Sequence, residues 1–184
     1  MVHIVSVLVE NQFGVLSRIS GLFSARGFNI DSLAVGETDD PSVSRMTIAV
    51  HGDAKVLDQI MKQLNKLIDV IKVSDLSSDD MIDRELVLIK VTADAKSRPD
   101  LMQIVNTFRG KIVDVSPESL VVEVSGNKSK IDAILELLRP FGIREVVRTG
   151  TIALSRKFEL RLNDEKKKTP VAEKKTTKSV KKKK

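Results

Sequence analysis

The chain has no cysteine, no tryptophan and no tyrosine. Without cysteine there is no disulfide framework, no thiolate metal site and no cysteine nucleophile, which fits a reducing compartment. Phenylalanine is the sole aromatic, at six of 184 residues. The interior must therefore be filled by Val, Ile and Leu, which suits half-buried sheets packed against helices. No apolar run approaches the roughly 18 residues that a membrane span requires. Nor does a charged segment, a short apolar stretch and a cleavage site open the chain. Val2 to Val9 reads as a strand beginning almost at Met1. The expectation is a cytoplasmic protein with no membrane partner. Gly-x-Gly-x-x-Gly and Gly-x4-Gly-Lys-Ser/Thr phosphate loops are also missing.

Charge is unevenly placed. The formal net charge is +6, yet the segment 165–184 holds ten Lys against two Glu, which leaves the part before it slightly acidic. A segment of Lys, Thr, Ser and Pro cannot bury enough surface to order itself, and 164–184 reads as a disordered basic tail, a solubilising appendage.

What is present is a periodic pattern, met twice. Val2 to Glu10 is a nearly continuous apolar run, as in an interior strand. Leu16, Ile19, Leu22 and Phe23 recur at helical spacing up to Gly27. Phe28 to Val35 returns to strand character, and Met46, Ile48 and Val50 alternate in a further strand. Asp53 is a good N-cap for a helix with an apolar stripe Val56, Leu57, Ile60, Met61 and Leu64, and Leu67 to Val73 closes a βαββαβ unit. Ser74 to Arg84 is polar and reads as a linker. Leu86 to Thr92, Leu101 to Phe108, a hairpin around Ser116 to Ser119, the stripe Ile131, Ile134, Leu135, Leu138, and Ile143 to Val147 then repeat the pattern. Ile19, Leu22 and Arg26-Gly27 recur, at a shift of 83, as Met102, Val105 and Arg109-Gly110. Gly52, Leu57, Ile60, Met61 and Leu64 recur, at a shift of 74, as Gly126, Ile131, Ile134, Leu135 and Leu138. The expected fold is α+β, two ferredoxin-like βαββαβ domains. The expected bounds are 1–76, a linker 77–84, a second domain 85–163 and the tail 164–184.

One segment points to a ligand. The first strand runs into Asn11, Gln12, Phe13, Gly14, Val15 and Leu16, and a second break, Arg26 to Ile30, follows one helix later. Gly14 between strand and helix would aim the first-turn N–H groups and the positive dipole end at a carboxylate. Asn11 and Asn29 each offer donor and acceptor to the rest of a small ligand, and a free amino acid suits both ends. Gly before a helix and Asn beside a turn are also ordinary loop chemistry. The pocket is not repeated: at the shift of 83, Asn11 meets Asp94, Gly14 meets Ser97 and Asn29 meets Ile112.

Ile4 to Asn11, Gly14 to Arg18, Gly21 to Ile30, Ser44 to Ile48, Lys66 to Val70 and Phe108 to Val115 together resemble the regulatory small subunits of acetolactate (acetohydroxyacid) synthase. The resemblance runs from residue 1 to about residue 160. It implies an N-terminal ACT domain and a smaller ferredoxin-like C-terminal domain. It further implies a homodimer through ACT domains, and L-valine or another branched-chain amino acid as effector at their interface. The partner implied is a catalytic large subunit that this subunit activates and subjects to feedback inhibition. Thiamine diphosphate, Mg2+ and FAD would belong to that partner, with no metal or cofactor here. Effector contacts carried over are Asn11, Gly14, Val15 and Leu16 of one chain, Asn29 and Ile30 of the other, and Gly36, where the family often has Ala. Arg109 and Gly110 are candidate contacts with the catalytic subunit, against a plain helix-ending turn.

Other classes fit less well. A stand-alone amino-acid sensor for a different enzyme shares every feature above. For an enzyme, His3 and His51 lie on apparent strands with no nearby acid or nucleophile, as surface or edge-strand residues do. Asp39, Asp40, Asp79 and Asp80 sit in turn and linker segments and read as solvated loop charges. An RNA-recognition module has this topology but stacks bases on strand aromatics, and here Phe13, Phe23, Phe28, Phe108, Phe141 and Phe158 fall in helices, loops or strand ends. No specific nucleic-acid partner is expected.

Overall fold

The computed structural model describes residues 1–77 and 80–156. Strand β1 (Val2–Glu10) leads into helix α1 (Val15–Ala25), then β2 (Ile30–Glu37), β3 (Val43–His51), α2 (Ala54–Leu64) and β4 (Val70–Asp75). These strands form one antiparallel sheet in the order β2-β3-β1-β4. Val5, Val7 and Val9 of β1 and Met46, Ile48 and Val50 of β3 meet Val15, Ile19 and Phe23 of α1 and Ile60 and Leu64 of α2 in a dry core. Phe23 and Phe28 touch edge to face at 6.4 Å. That contact belongs to the helix stop: the Phe28 N–H donates to the Phe23 carbonyl and the Gly27 N–H to Ser24, a Schellman motif whose left-handed position is Gly27.

The second unit runs β5 (Met81–Thr92), α3 (Arg98–Thr107), β6 (Lys111–Ser116), β7 (Ser119–Gly126), α4 (Lys128–Leu138), β8 (Ile143–Arg148) and β9 (Ile152–Ser155). Its sheet order is β6-β7-β5-β8, with β9 paired to the start of β5. Val87, Ile89 and Val91, Leu120, Val122 and Val124, Leu101 and Val105, and Ile131, Ile134 and Leu138 build its core.

Two α+β units of the expected order are thus present, with differences at their margins. The segment Met81–Arg84, expected in the linker, is strand: Met81 to Arg84 pair with Ser155 to Ile152. Its charged residues hide a period-2 pattern in which Met81 packs inward and Ile82 and Arg84 point outward. Strand β9, Ile152–Ser155, was not expected at all. Strand β4 begins at Val70 rather than Leu67, because 65–69 turns back on α2, with the Leu67 N–H donating to Leu64 and Val70 to Leu67. The repeat shift at the first helix needs correcting too. Met102 is exposed while Ile19 is buried. The core positions correspond at a shift of 82, Ile19 with Leu101 and Phe23 with Val105, and the left-handed stop of Gly27 falls on Arg109. Matching the two Arg-Gly pairs places the second helix one position out. The shift of 74 holds, N-cap Asp53 to N-cap Asn127 included. The basic tail and the end of the second unit lie outside the described residues.

A third, small core joins the units: Ile4, Ala49, Leu76 and Ala153, with Met81 against them. Leu76 N–H donates to Ile4 O, and Ile4 N–H to Ser77 Oγ, both at 2.9 Å. From the other side the Thr151 N–H donates to Ser32 Oγ at 2.9 Å. Among the described residues no helix is long and apolar enough to cross a membrane.

Candidate functional site

At the end of β1, Asn11, Gly14 and Leu16 gather on an exposed rim. Gly14 has φ +84 and caps α1 without any side-chain hydrogen bond. Val15 N–H turns back to Gln12 O, at 3.4 Å, and the Val15 side chain is in the core. Leu16 and Ser17 are left as the open amides of the first turn. The starts of α2 and α4 are filled: Asp53 accepts from Val56 N–H and Asn127 from Lys130 N–H. Arg18, one turn on, bonds Asp69 at 2.7 Å through Nε, while its Nη1 lies 3.2 Å from where a Cβ on Gly14 would stand. The open helix start therefore has a fixed cation beside it.

The two asparagines are oriented alike. Asn11 Nδ2 donates to Glu37 Oε1 at 3.1 Å and to the Pro41 carbonyl at 3.0 Å. Both amide hydrogens are thus engaged and the carbonyl oxygen remains to accept. Asn29 Nδ2 donates to Asp31 Oδ1 at 3.0 Å, which likewise turns its oxygen outward. One end of such a site favours a carboxylate and the other offers acceptors to an ammonium, backed by Glu37 and Asp31.

These two halves are far apart in a single chain. Asn11 follows the end of β1 that pairs with Val43, whereas Asn29 precedes Ile30, which pairs with Val50 at the opposite end of β3. The length of β2 between them is about 23 Å at roughly 3.3 Å per residue. Gly36 lies at the Asn11 end, next to Glu37, and a Cβ there meets nothing within 4 Å. Ile30, half-buried, supports the first core from the Asn29 end.

At the start of α3 the Asp94 carboxylate accepts from Ser97 N–H and Ser97 Oγ, both at 2.7 Å, and from Lys96 N–H at 3.0 Å. The Ser97 hydroxyl and amide bonds hold its carboxyl below the ordinary range. These bonds close a turn just ahead of α3, whose N-cap Ser97 makes no side-chain capping bond of its own.

Arg109 and Gly110 form a Schellman stop for α3, with Gly110 N–H donating to Val105 O and Arg109 N–H to Asn106 O. Arg109 is exposed at φ +51, the one non-glycine residue with positive φ among those described. A side chain at Gly110 would lie 3.1 Å from Glu123 O. The histidines differ from expectation. His3 is buried on central β1, with Nε2 against Gly52 O and Nδ1 without a partner. His51 does have an acid: Nδ1 pairs with Asp31 Oδ2, brought beside it by the β2–β3 pairing, and no described hydroxyl hydrogen-bonds to the imidazole. Asp40 organises the β2–β3 loop by accepting from Ser42, and Asp80 pairs with Arg156; Asp79 lies outside the described residues. No described strand carries a phenylalanine, and no described group of three or more His, Asp or Glu could hold a metal ion. Arg18, Asp31, Glu37 and Asp69 went unnoticed as site residues. Only Arg18, one helical turn after Gly14, carried a local signal.

The family model for the ACT domain of acetohydroxyacid synthase small subunit-like proteins matches residues 5–72, and the model "Small subunit of acetolactate synthase" matches residues 84–157. The chain belongs to the acetolactate synthase small-subunit family. The acetolactate synthase small subunit of Mycobacterium bovis is 54% identical over 154 residues, 84% of this chain and 92% of that one. That of Aquifex aeolicus is 49% identical over 160 residues, 86% and 83% of the two chains. The crystal structure of the small subunit from Thermotoga maritima shares the fold with a TM-score of 0.78 and 42% identity, over 86% of this chain and 99% of that one. The two halves described above are therefore the ACT domain and the C-terminal domain of a small, regulatory subunit.

Proposed function

We propose that this chain activates the thiamine-diphosphate-dependent catalytic large subunit of acetolactate synthase and makes it sensitive to feedback inhibition by L-valine or another branched-chain amino acid. The observation that carries the reading is the contrast between the start of α1, where Gly14 offers no capping side chain, and the starts of α2 and α4, where Asp53 and Asn127 accept from the first-turn amides of Val56 and Lys130. In the ACT domain the effector's carboxylate takes the place that the Asp53 carboxylate takes at α2, at the Leu16 and Ser17 amides with Arg18 alongside.

The ammonium partners come from two copies. β2, Ile30–Glu37, is an edge strand. Two such edges pairing antiparallel about a two-fold axis would set Ile30 of one copy opposite Glu37 of the other. Asn29 of one chain then stands beside the Glu37-bound Asn11 of its partner, closing the separation that a single chain leaves between them. Phe13, Leu16 and Val35, all exposed in one chain, become candidates for the covered interface. Gly21 of α1, with open space where a side chain would be, makes room for the partner's helix at the usual cost of about 1 kcal/mol for glycine in a helix. Chemistry is left to the large subunit and its thiamine diphosphate, Mg2+ and FAD, and this chain carries no cofactor of its own.

Calorimetric titration of the full chain with L-valine, beside Asn29→His, tests the effector site. Saturable binding that the substitution abolishes is expected, together with activation and valine inhibition on reconstitution with the large subunit. An unmodified dimer that takes up no valine, and whose complex valine does not inhibit, refutes the reading.

A further inference from the structure

Asp31 stands where the β2–β3 register slips: Ile30 faces Val50 and Ser32 faces Ala49, so Asp31 is the extra residue of a bulge. Bulges re-aim side chains, and they recur beside functional sites. This one lets a single carboxylate reach in two directions. Its Oδ1 accepts from Asn29 Nδ2 at 3.0 Å, and its Oδ2 pairs with His51 Nδ1 on the neighbouring strand. Asp31 and Asn29 are both exposed, with the Asp31 side chain the more sheltered part of its residue at 29%. Among the described residues, Asn29 has no other side-chain hydrogen bond that would fix which way its amide faces. An unrestrained amide presents either its oxygen or its nitrogen to a ligand by a half-turn of the side chain.

We propose that Asp31, held by its bulge and by His51, is the positioning residue that makes the effector site selective for an ammonium group, by locking Asn29 with its carbonyl oxygen toward the ligand. The inference rests on the effector reading above. With Asn11 fixed the same way by Glu37 and Pro41, the site presents two acceptors and no amide donor at that end. An amino acid brings three N–H donors to them. The 2-oxo acid of the same skeleton brings only a keto oxygen, which meets two carbonyl oxygens and is refused. Release of Asn29 lets its NH2 group turn toward that oxygen, and the refusal weakens.

The test compares binding of L-valine and 3-methyl-2-oxobutanoate to the full-length wild type, Asp31→Ala and Asp31→Asn. Dimer mass and thermal midpoint are checked for each. In Asp31→Ala the preference for valine should fall by about tenfold, the order of one hydrogen bond's net contribution. Asp31→Asn keeps an oxygen that can accept from Asn29 and should hold the preference near wild type. Loss in both variants alike would mean that the charge matters and not the orientation, and overturns the proposal; so does an unchanged preference in Asp31→Ala. Side-chain amide NMR gives a readout independent of affinity, because the order parameter of the Asn29 side-chain NH2 group should fall in Asp31→Ala only, as its side-chain torsions are freed. Failure of the wild type to bind valine is a different result, which removes the effector reading itself and this inference with it.

Discussion

Gly150→Ala should open the joint between the two domains while leaving both of their cores intact. Gly150 has φ +83, and a Cβ there would lie 2.8 Å from Ser32 Oγ and 3.3 Å from the Leu33 carbonyl. The left-handed backbone alone costs an L-residue about 1–2 kcal/mol. Displacing Ser32 also breaks its bond from Thr151 N–H, worth roughly 0.5–1.5 kcal/mol net. About 2–3 kcal/mol therefore falls on a joint whose own core is only Ile4, Ala49, Leu76, Ala153 and Met81. Native-state hydrogen exchange reads this directly: amides of β9 and of Ser32 to Ala34 should lose protection by one to two orders of magnitude, while Val87 to Val91 should keep theirs. Gly27→Ala is the control, because it has φ +68 and nothing within 4 Å of the added atom, so it carries strain without a clash and lies away from the joint. Unchanged β9 protection in Gly150→Ala, or equal loss in Gly27→Ala, would show that the contact with Ser32 does not hold the domains together. In the reconstituted enzyme the same substitution should leave valine binding in place and weaken the inhibition that follows.

Val35→Lys places a charge on the free edge of the ACT sheet, where Val35 is 47% exposed. Light scattering should show the particle mass halved with the thermal midpoint little changed, and valine binding should vanish with the dimer; a dimer that survives puts the interface elsewhere. Arg109→Gly relieves the left-handed strain and should raise stability by about 1 kcal/mol. If the guanidinium also meets the large subunit, activation falls as stability rises, and unchanged activation reduces Arg109 to a helix stop. Asp94 has its carboxyl depressed by the Ser97 bonds, so its stabilising contribution is complete above about pH 4 and drains away as pH falls below that. Ser97→Ala should move the Asp94 titration upward in an NMR-monitored series, and no movement would deny the hydroxyl its part.

Much of this fold was legible because its signals are local. Asp53 before an apolar stripe, Gly27 after one, and Ser116 to Ser119 between two apolar runs each declare an element boundary within a short stretch of chain. What escaped notice depends on pairing over long distances. The start of β5 is strand only because β9, at the far end of the second unit, lies beside it. The His51–Asp31 pair exists because β2 and β3 are neighbours, and nothing in either residue's surroundings in the sequence announces it. The ligand motif behaved likewise: Asn11, Gly14 and Asn29 stood out by residue type, while Glu37, Pro41 and Asp31, which orient the amides, look like ordinary loop and strand residues until the chain is folded.

Strand β2 meets three different neighbours along its short length, Ile30–Glu37. Its start carries Asn29 and the Asp31 bulge, its middle carries Ser32 and Leu33 against Gly150 and Thr151, and its outer edge is free for a second copy. Asp31 is also a wall of a cavity of about 490 Å³ between the domains, which Glu85 and Arg148 of the second domain line as well. On the proposed function, a ligand that ties Asn29 to a partner chain would pull on the nearby positions, Ser32 and Leu33, that meet the C-terminal domain. A ligand can shift a conformational equilibrium only through contacts that differ between its states. The contacts that the proposed function would change lie on one short strand, so a route from effector to C-terminal domain would need no chain of intermediates through either hydrophobic core. Substitutions at Ser32 or Gly150 should consequently uncouple binding from inhibition, whereas a core change such as Ile134→Val should lower stability by about 1 kcal/mol and leave that coupling as it was.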